Sequence, residues 1–217
     1  MKAQTRVLFD SELRAGSLEP LREDLLAAFQ LLADALGAGG KVLVCGNGGS
    51  AADSEHIVGE LMKGFRRRRE LPPADRERLE GAWGQEGRVL AGRLQRALPA
   101  ISLVSQVSLG TAVANDLGAD LVFAQQVYGY GRAGDALIAI STSGNAGNVL
   151  AACRTARAFG LIVVGLTGRQ GGELARLCDR CLRAPAAETA EVQVWHLRCY
   201  HLLCAALELE LLGGDPG

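Results

Sequence analysis

The sequence predicts an α/β protein, a three-layer sandwich in which a doubly wound parallel sheet of about five strands lies between helices. An N-terminal helical segment precedes the sheet and a long C-terminal helix closes the chain. Three observations predict it. Short, nearly continuous apolar runs recur from Lys41 onward, as expected of strands buried on both faces. Segments with helical spacing separate them, which calls for a parallel sheet with crossover helices. Two of the runs end in loops of small and hydroxyl residues that lead into helices.

The first forty residues read as helix. Leu21, Leu25, Phe29 and Leu32 recur at helical spacing, and Gly37 with Gly39-Gly40 ends the segment. The expected strands are Lys41–Cys45, Ala100–Val104, Ala136–Ser141, Leu161–Leu166 and Arg180–Ala184. The expected helices are Ala51–Lys63, a segment around Gly110–Asp116, Phe123–Gly129, Gly147–Phe159, Gly171–Leu177 and Thr189–Leu212. The whole chain, 1–217, reads as a single domain, with 1–38 its helical N-terminal segment. Residues 64–98 break the rhythm and read as a surface insertion with a short helix. Arg66 to Arg69 in that insertion can bind nucleic acid or an anionic substrate. The preferred reading is a solvated run balanced by Glu70, Asp75, Glu77 and Glu80.

Composition excludes some classes. A net charge of −1 gives no global field for nucleic acid or membrane. No apolar stretch approaches the roughly 18 residues of a membrane span, and the N-terminus lacks the apolar core of a secretion signal, so a cytoplasmic protein is expected. Six cysteines in apolar surroundings read as small core residues. The pair Cys178-x-x-Cys181 has no second pair and no nearby histidine, so it reads as structural and not as a zinc site.

The loop Gly46-Asn47-Gly48-Gly49-Ser50 follows the first apolar run, and Ser141-Thr142-Ser143-Gly144-Asn145 follows the third. Small residues let backbone N–H groups approach an anion, and the helix N-terminus behind them adds roughly half a positive charge. Two such loops point to a phosphorylated small molecule held beyond the strand ends. His56 and Glu60 lie four apart on the helix after the first loop, a spacing that suits a metal or an acid/base pair. Gln193 and His201 lie eight apart on the last helix, which separates them by roughly 12 Å if that helix is straight. Three arrangements are open: Gln193 sits in the run-in to the helix, the site mixes residues of different subunits, or only one of the two is a ligand. His201 also fits a hydrogen-bonded core position.

With these residues in place, the chain resembles the sugar isomerase (SIS) domain family from about residue 20 to 212, and within it the phosphoheptose, or sedoheptulose 7-phosphate, isomerases. The loops at 45–50 and 140–145 carry the resemblance, together with Leu166-Thr167-Gly168 and Ala114-Asn115-Asp116. The resemblance implies one zinc ion per subunit held by His56, Glu60, Gln193 and His201, with Glu60 and His201 as the acid/base pair. It implies that Ser50, Ser141, Thr142 and Ser143 hold the phosphate, with Gly48 and Gly49 in the cradle. Asn47, Asp53, Asn115 and Asp116 would meet sugar hydroxyls or support the loops. It also implies a homotetramer whose active sites draw on neighbouring subunits.

The chain departs from the family at Ala146, where a serine is common, and at Glu191, near a customary arginine. Its last helix has Gln193-Val194-Trp195-His196 in place of a Gln-Glu-x-His pattern. The implied reaction is aldose–ketose isomerisation of sedoheptulose 7-phosphate to D-glycero-D-manno-heptose 7-phosphate through an enediol, for activated-heptose synthesis. The alternatives are an isomerase or sensor for another sugar phosphate, and a SIS protein that binds a partner without catalysis.

Overall fold

A computed structural model of the chain describes residues 1–15 and 18–213. Positions 16–17 and 214–217 of the expected single domain lie outside the described residues. The N-terminal segment forms α1 (Ala3–Ala15) and α2 (Arg22–Gly37), joined through a tight turn at Glu19–Leu21 that contains Pro20. Then follow β1 (Val42–Gly46), α3 (Gly49–Met62), α4 (Pro73–Arg93), β2 (Ala100–Ser102), α5 (Val107–Asp116), α6 (Val122–Tyr130) and β3 (Ala136–Ile140). The remainder is α7 (Gly147–Ala158), β4 (Ile162–Thr167), α8 (Leu174–Leu177), β5 (Arg180–Arg183) and α9 (Thr189–Leu212).

The five strands form one parallel sheet in the order β2-β1-β3-β4-β5. Strand alternation divides the core. Val42 and Val44 join α2, α3 and α9 on one face, packing with Phe29, Leu32, Ile57 and Leu203. Leu43 and Cys45 face the other way, toward Phe123, Val127, Ala152 and Cys153 of α6 and α7. Full burial of a side chain such as Leu25 or Leu32 contributes roughly 1.5–3 kcal/mol. All six cysteines are free, and four of them are buried in this core. No described helix is long and apolar enough to cross a membrane.

The insertion differs from expectation. Its helix is not short but spans 21 residues, and it doubles back at Gly84, where φ is +55°. Pro73 lacks an N–H and so fits the first helical turn, where none is needed. A straight helix would separate Leu79 from Gly87 by roughly 12 Å; here a Cβ at Gly87 would overlap the Leu79 carbonyl oxygen. The arginine run is also not uniformly solvated. Arg76 does pair with Glu70, but Arg69 is 3% exposed and pairs with Glu208 of α9, while Arg66 pairs with Glu12 of α1. Burying one guanidinium is tolerable because a buried carboxylate and two backbone carbonyls satisfy it.

Two expected elements are shorter. Strand β2 ends at Ser102, where the chain turns through Leu103 to Ser105, and α8 keeps only Leu174–Leu177 because Gly171 and Gly172 both take positive φ.

Candidate active site

The strand order reverses between β1 and β3, so the connections that follow those two strands leave in opposite directions and open a crevice at their carboxyl ends. Both small-residue loops lie there. The Asn47 side chain from the first loop exchanges paired 2.9 Å hydrogen bonds with the side chain of Asn148, at the start of α7. Asn148 was not singled out in the sequence; its place one turn after the second loop is the signal it offered.

Gly48 takes φ +55° and lets the chain turn directly into α3. Ser50 is buried in the first turn of that helix. In the second loop, Ser143 Oγ accepts from the Asn145 N–H at 3.2 Å, and Thr142 O accepts from the Gly168 N–H at 2.9 Å. Ser141 is buried beside them. Thr142, Ser143, Asn145, Arg169 and Gln170 line a cleft of about 340 Å³. Asn47 and Gly48 border a different cleft, shared with Gln106, Thr111 and Gln126. Asn115 and Asp116 are exposed at the end of α5 and hydrogen-bond to each other at 2.8 Å.

A polar cluster forms where α3 packs on α9. Asp53, His56 and Glu60 recur at three and four residues, which places them on one face of α3. His56 Nε2 lies 3.1 Å from Glu60 Oε1 and 3.4 Å from His201 Nε2. The two histidine rings stand edge to face with centroids 5.0 Å apart, and Phe65 stacks at a tilt on His201 at 5.4 Å. On the other side of His56, the Tyr200 hydroxyl lies 3.0 Å from Nδ1 and donates to Asp53 Oδ1 at 3.1 Å.

Desolvation governs the electrostatics. Burial, partly opposed by the Tyr200 hydrogen bond and His56, raises the Asp53 pKa. Burial together with the Asp53 charge raises that of Tyr200, which keeps its proton. Burial, helped by His56 and opposed by Glu60, lowers that of His201 and favours the neutral ring. Glu60 Oε2 is buried without a hydrogen-bond partner, with Lys63 Nζ at 3.6 Å.

Gln193 does not join this cluster within one chain. It lies inside the regular span of α9, so it is not in a run-in to that helix. Its amide packs on Gly49, where any Cβ would overlap Nε2. Sequence reasoning missed Tyr200 and Phe65, and it read Arg69 as part of a solvated run where the structure buries it against Glu208. Tyr200 is adjacent to His201, but its partner on α3 lies 147 residues away in sequence.

The donor chemistry fits a zinc ion in part. Among the described residues, no three His, Cys, Asp or Glu side chains form a ready-made metal cage. Two imidazoles and a carboxylate do converge, and the 3.1 and 3.4 Å separations match the roughly 3.3 Å edge of a tetrahedron with zinc bonds of about 2.0–2.1 Å. Glu60 Oε2, which makes no hydrogen bond, adds a further oxygen donor.

Comparison with known proteins places this arrangement in context. The SIS domain model matches residues 11–75 and 87–168, on either side of the turn in α4. A phosphoheptose isomerase of Rhodospirillum rubrum is 39% identical over 208 residues, 96% of this chain and 95% of that protein. One from Burkholderia pseudomallei is 40% identical over 195 residues, 88% and 86% of the two chains. The solved phosphoheptose isomerase of Neisseria gonorrhoeae superposes with a TM-score of 0.72 at 34% identity, covering 95% of this chain and 99% of its own. That of Francisella tularensis gives 0.69 at 29% identity, covering 96% and 99%.

Proposed function

Because this chain belongs to the phosphoheptose isomerases of the SIS domain family, we propose that it interconverts sedoheptulose 7-phosphate and D-glycero-D-manno-heptose 7-phosphate. The observation that carries the reading is the convergence of Glu60, His56 and His201 where α3 packs on α9. In the ketose-to-aldose direction, a base takes a proton from C1, a cis-enediol forms, and a proton returns to C2. Glu60 is assigned as the base: its carboxylate is largely shielded from water and lies 3.1 Å from His56 Nε2. His201, held neutral by its surroundings, gives and takes the proton at the substrate oxygens. Each contributes on the order of 10²–10⁴-fold. The hydroxyls of Ser50, Ser141, Thr142 and Ser143, with the N-terminus of α7 behind the second loop, are assigned to the phosphate.

His56, Glu60 and His201 would hold a zinc ion, which when bound supplies electrophilic stabilisation of the negative charge that develops on the enediol oxygens. Gln193 would reach such a site from a neighbouring subunit. Its distance from His201 along α9 supports this, as do the exposed apolar Val194 and Leu197 beside it. A homotetramer in the cytoplasm is the assembly proposed. Asn115 and Asp116 are assigned to sugar hydroxyls on the same basis, at the exposed end of α5.

The test is NMR of sedoheptulose 7-phosphate in D₂O with the purified protein, before and after chelation and zinc restoration. The expected result is an aldoheptose 7-phosphate carrying deuterium at C2, lost on chelation and restored by zinc. A folded protein that exchanges no proton in any condition would overturn the reaction.

A further inference from the structure

We propose that Tyr200 is a positioning residue that fixes the tautomer of His56 and so determines whether His56 Nε2 presents a lone pair or a proton to Glu60 and His201. The inference takes the place of His56 in the working site from the function proposed above, but its geometry stands alone.

A tyrosine hydroxyl has one proton to give. Tyr200 gives it to Asp53 Oδ1 at 3.1 Å. Its oxygen, 3.0 Å from His56 Nδ1, must then accept, so the imidazole proton sits on Nδ1. A neutral imidazole carries only one such proton, and Nε2 is left with a bare lone pair. That lone pair faces Glu60 Oε1 at 3.1 Å and His201 Nε2 at 3.4 Å. A carboxylate oxygen and an unprotonated ring nitrogen at that distance repel each other unless a cation or a transferred proton lies between them. The site is therefore set to receive one. With the opposite polarity, His56 Nε2–H would donate to Glu60, and the base would be masked by an internal hydrogen bond. Tyr200 is fully buried and Asp53 is half-buried, so water does not compete freely for this chain of bonds. An outer partner that fixes a histidine tautomer typically changes metal affinity or activity by about 10–100-fold when removed. This assigns Asp53 to holding Tyr200 through Oδ1 and, through it, the His56 ring.

The test is Tyr200→Phe, which keeps the ring and removes only the hydroxyl, read by long-range ¹H–¹⁵N NMR of histidine-labelled protein. Three histidines make assignment tractable. The expected result is a proton on Nδ1 of His56 in the metal-free wild type and its loss to Nε2 in the variant. Zinc affinity, measured against a competing chelator, should fall about 10–100-fold, and kcat should fall with KM nearly unchanged. Asp53→Asn, which weakens the acceptor of the Tyr200 proton, should move the tautomer the same way and serves if Tyr200→Phe does not fold. A wild-type His56 protonated on Nε2, or a tautomer unchanged in both variants, overturns the inference. A tautomer that shifts as expected in a wild-type background without isomerase activity supports it and overturns the proposed reaction instead.

Discussion

Arg69 Nε and Glu208 Oε1 meet at 2.7 Å with side chains only 1% and 4% exposed. Glu208 also accepts from the backbone N–H groups of Phe65 and Arg66, both at 2.9 Å. Arg69 in turn donates to the carbonyls of Glu60 and Leu61 at the end of α3. One buried pair thus ties the helix that carries Glu60 to the helix that carries His201, and seats Phe65 on the His201 ring. It also meets orphan carbonyls of the α3 C-terminus, which a helix end otherwise leaves unsatisfied.

Breaking that pair should be costly. Glu208→Leu leaves the Arg69 guanidinium buried and unpaired, with an expected loss of about 3–5 kcal/mol in urea unfolding. Adding Arg69→Met should recover a good part of it, because an apolar pair removes both desolvation costs. A double variant no more stable than the single one would refute this view of the pair.

Glu60→Gln should reduce turnover by at least about 10²-fold while fold and assembly persist, since the amide keeps the shape but accepts no proton. Circular dichroism and sedimentation would verify the fold, and the D₂O exchange assay the activity. Turnover close to wild type would remove Glu60 from the reaction.

Gly49 is held small by Gln193. Alanine there would overlap the Gln193 amide and force that side chain to move. In a Gln193→Ala background the same change should stabilise by up to about 1 kcal/mol, the helix preference of alanine over glycine. The two substitutions should therefore be non-additive by that order in a double-mutant cycle.

His196 gives the fold a pH dependence. The side chain is 1% exposed and neither ring nitrogen has a hydrogen-bond partner of good geometry. Burial lowers its pKa to about 4, with the Thr167 backbone opposing. The unfolded chain binds a proton near pH 6.5 while the folded chain resists, so stability is complete above that pH and falls as pH drops toward 4. The contribution is on the order of 3 kcal/mol. His196→Phe should flatten the melting temperature between pH 7 and 4; an unchanged slope would assign it to other groups.

Much of this was legible in the chain because the signals are local. Alternating apolar runs and helical spacing marked every strand of the sheet to within a few residues, and glycines and serines marked both crevice loops. The four-residue spacing placed His56 and Glu60 in contact, because one helical turn brings them together whatever the fold. Other relationships depend on which elements the sheet order sets side by side. His56 meets His201 across 145 residues, and Arg69 meets Glu208 across 139. Gln193, on the same helix as His201, faces Gly49 because a straight helix carries the two side chains to different neighbours. The doubled-back insertion turns on a positive φ at Gly84 that no periodicity encodes. Sequence determined the elements through turn chemistry and periodicity, which act within a few residues. The packing of α3 against α9 decided which polar groups share a site, because contacts between distant segments are selected only when the whole core closes.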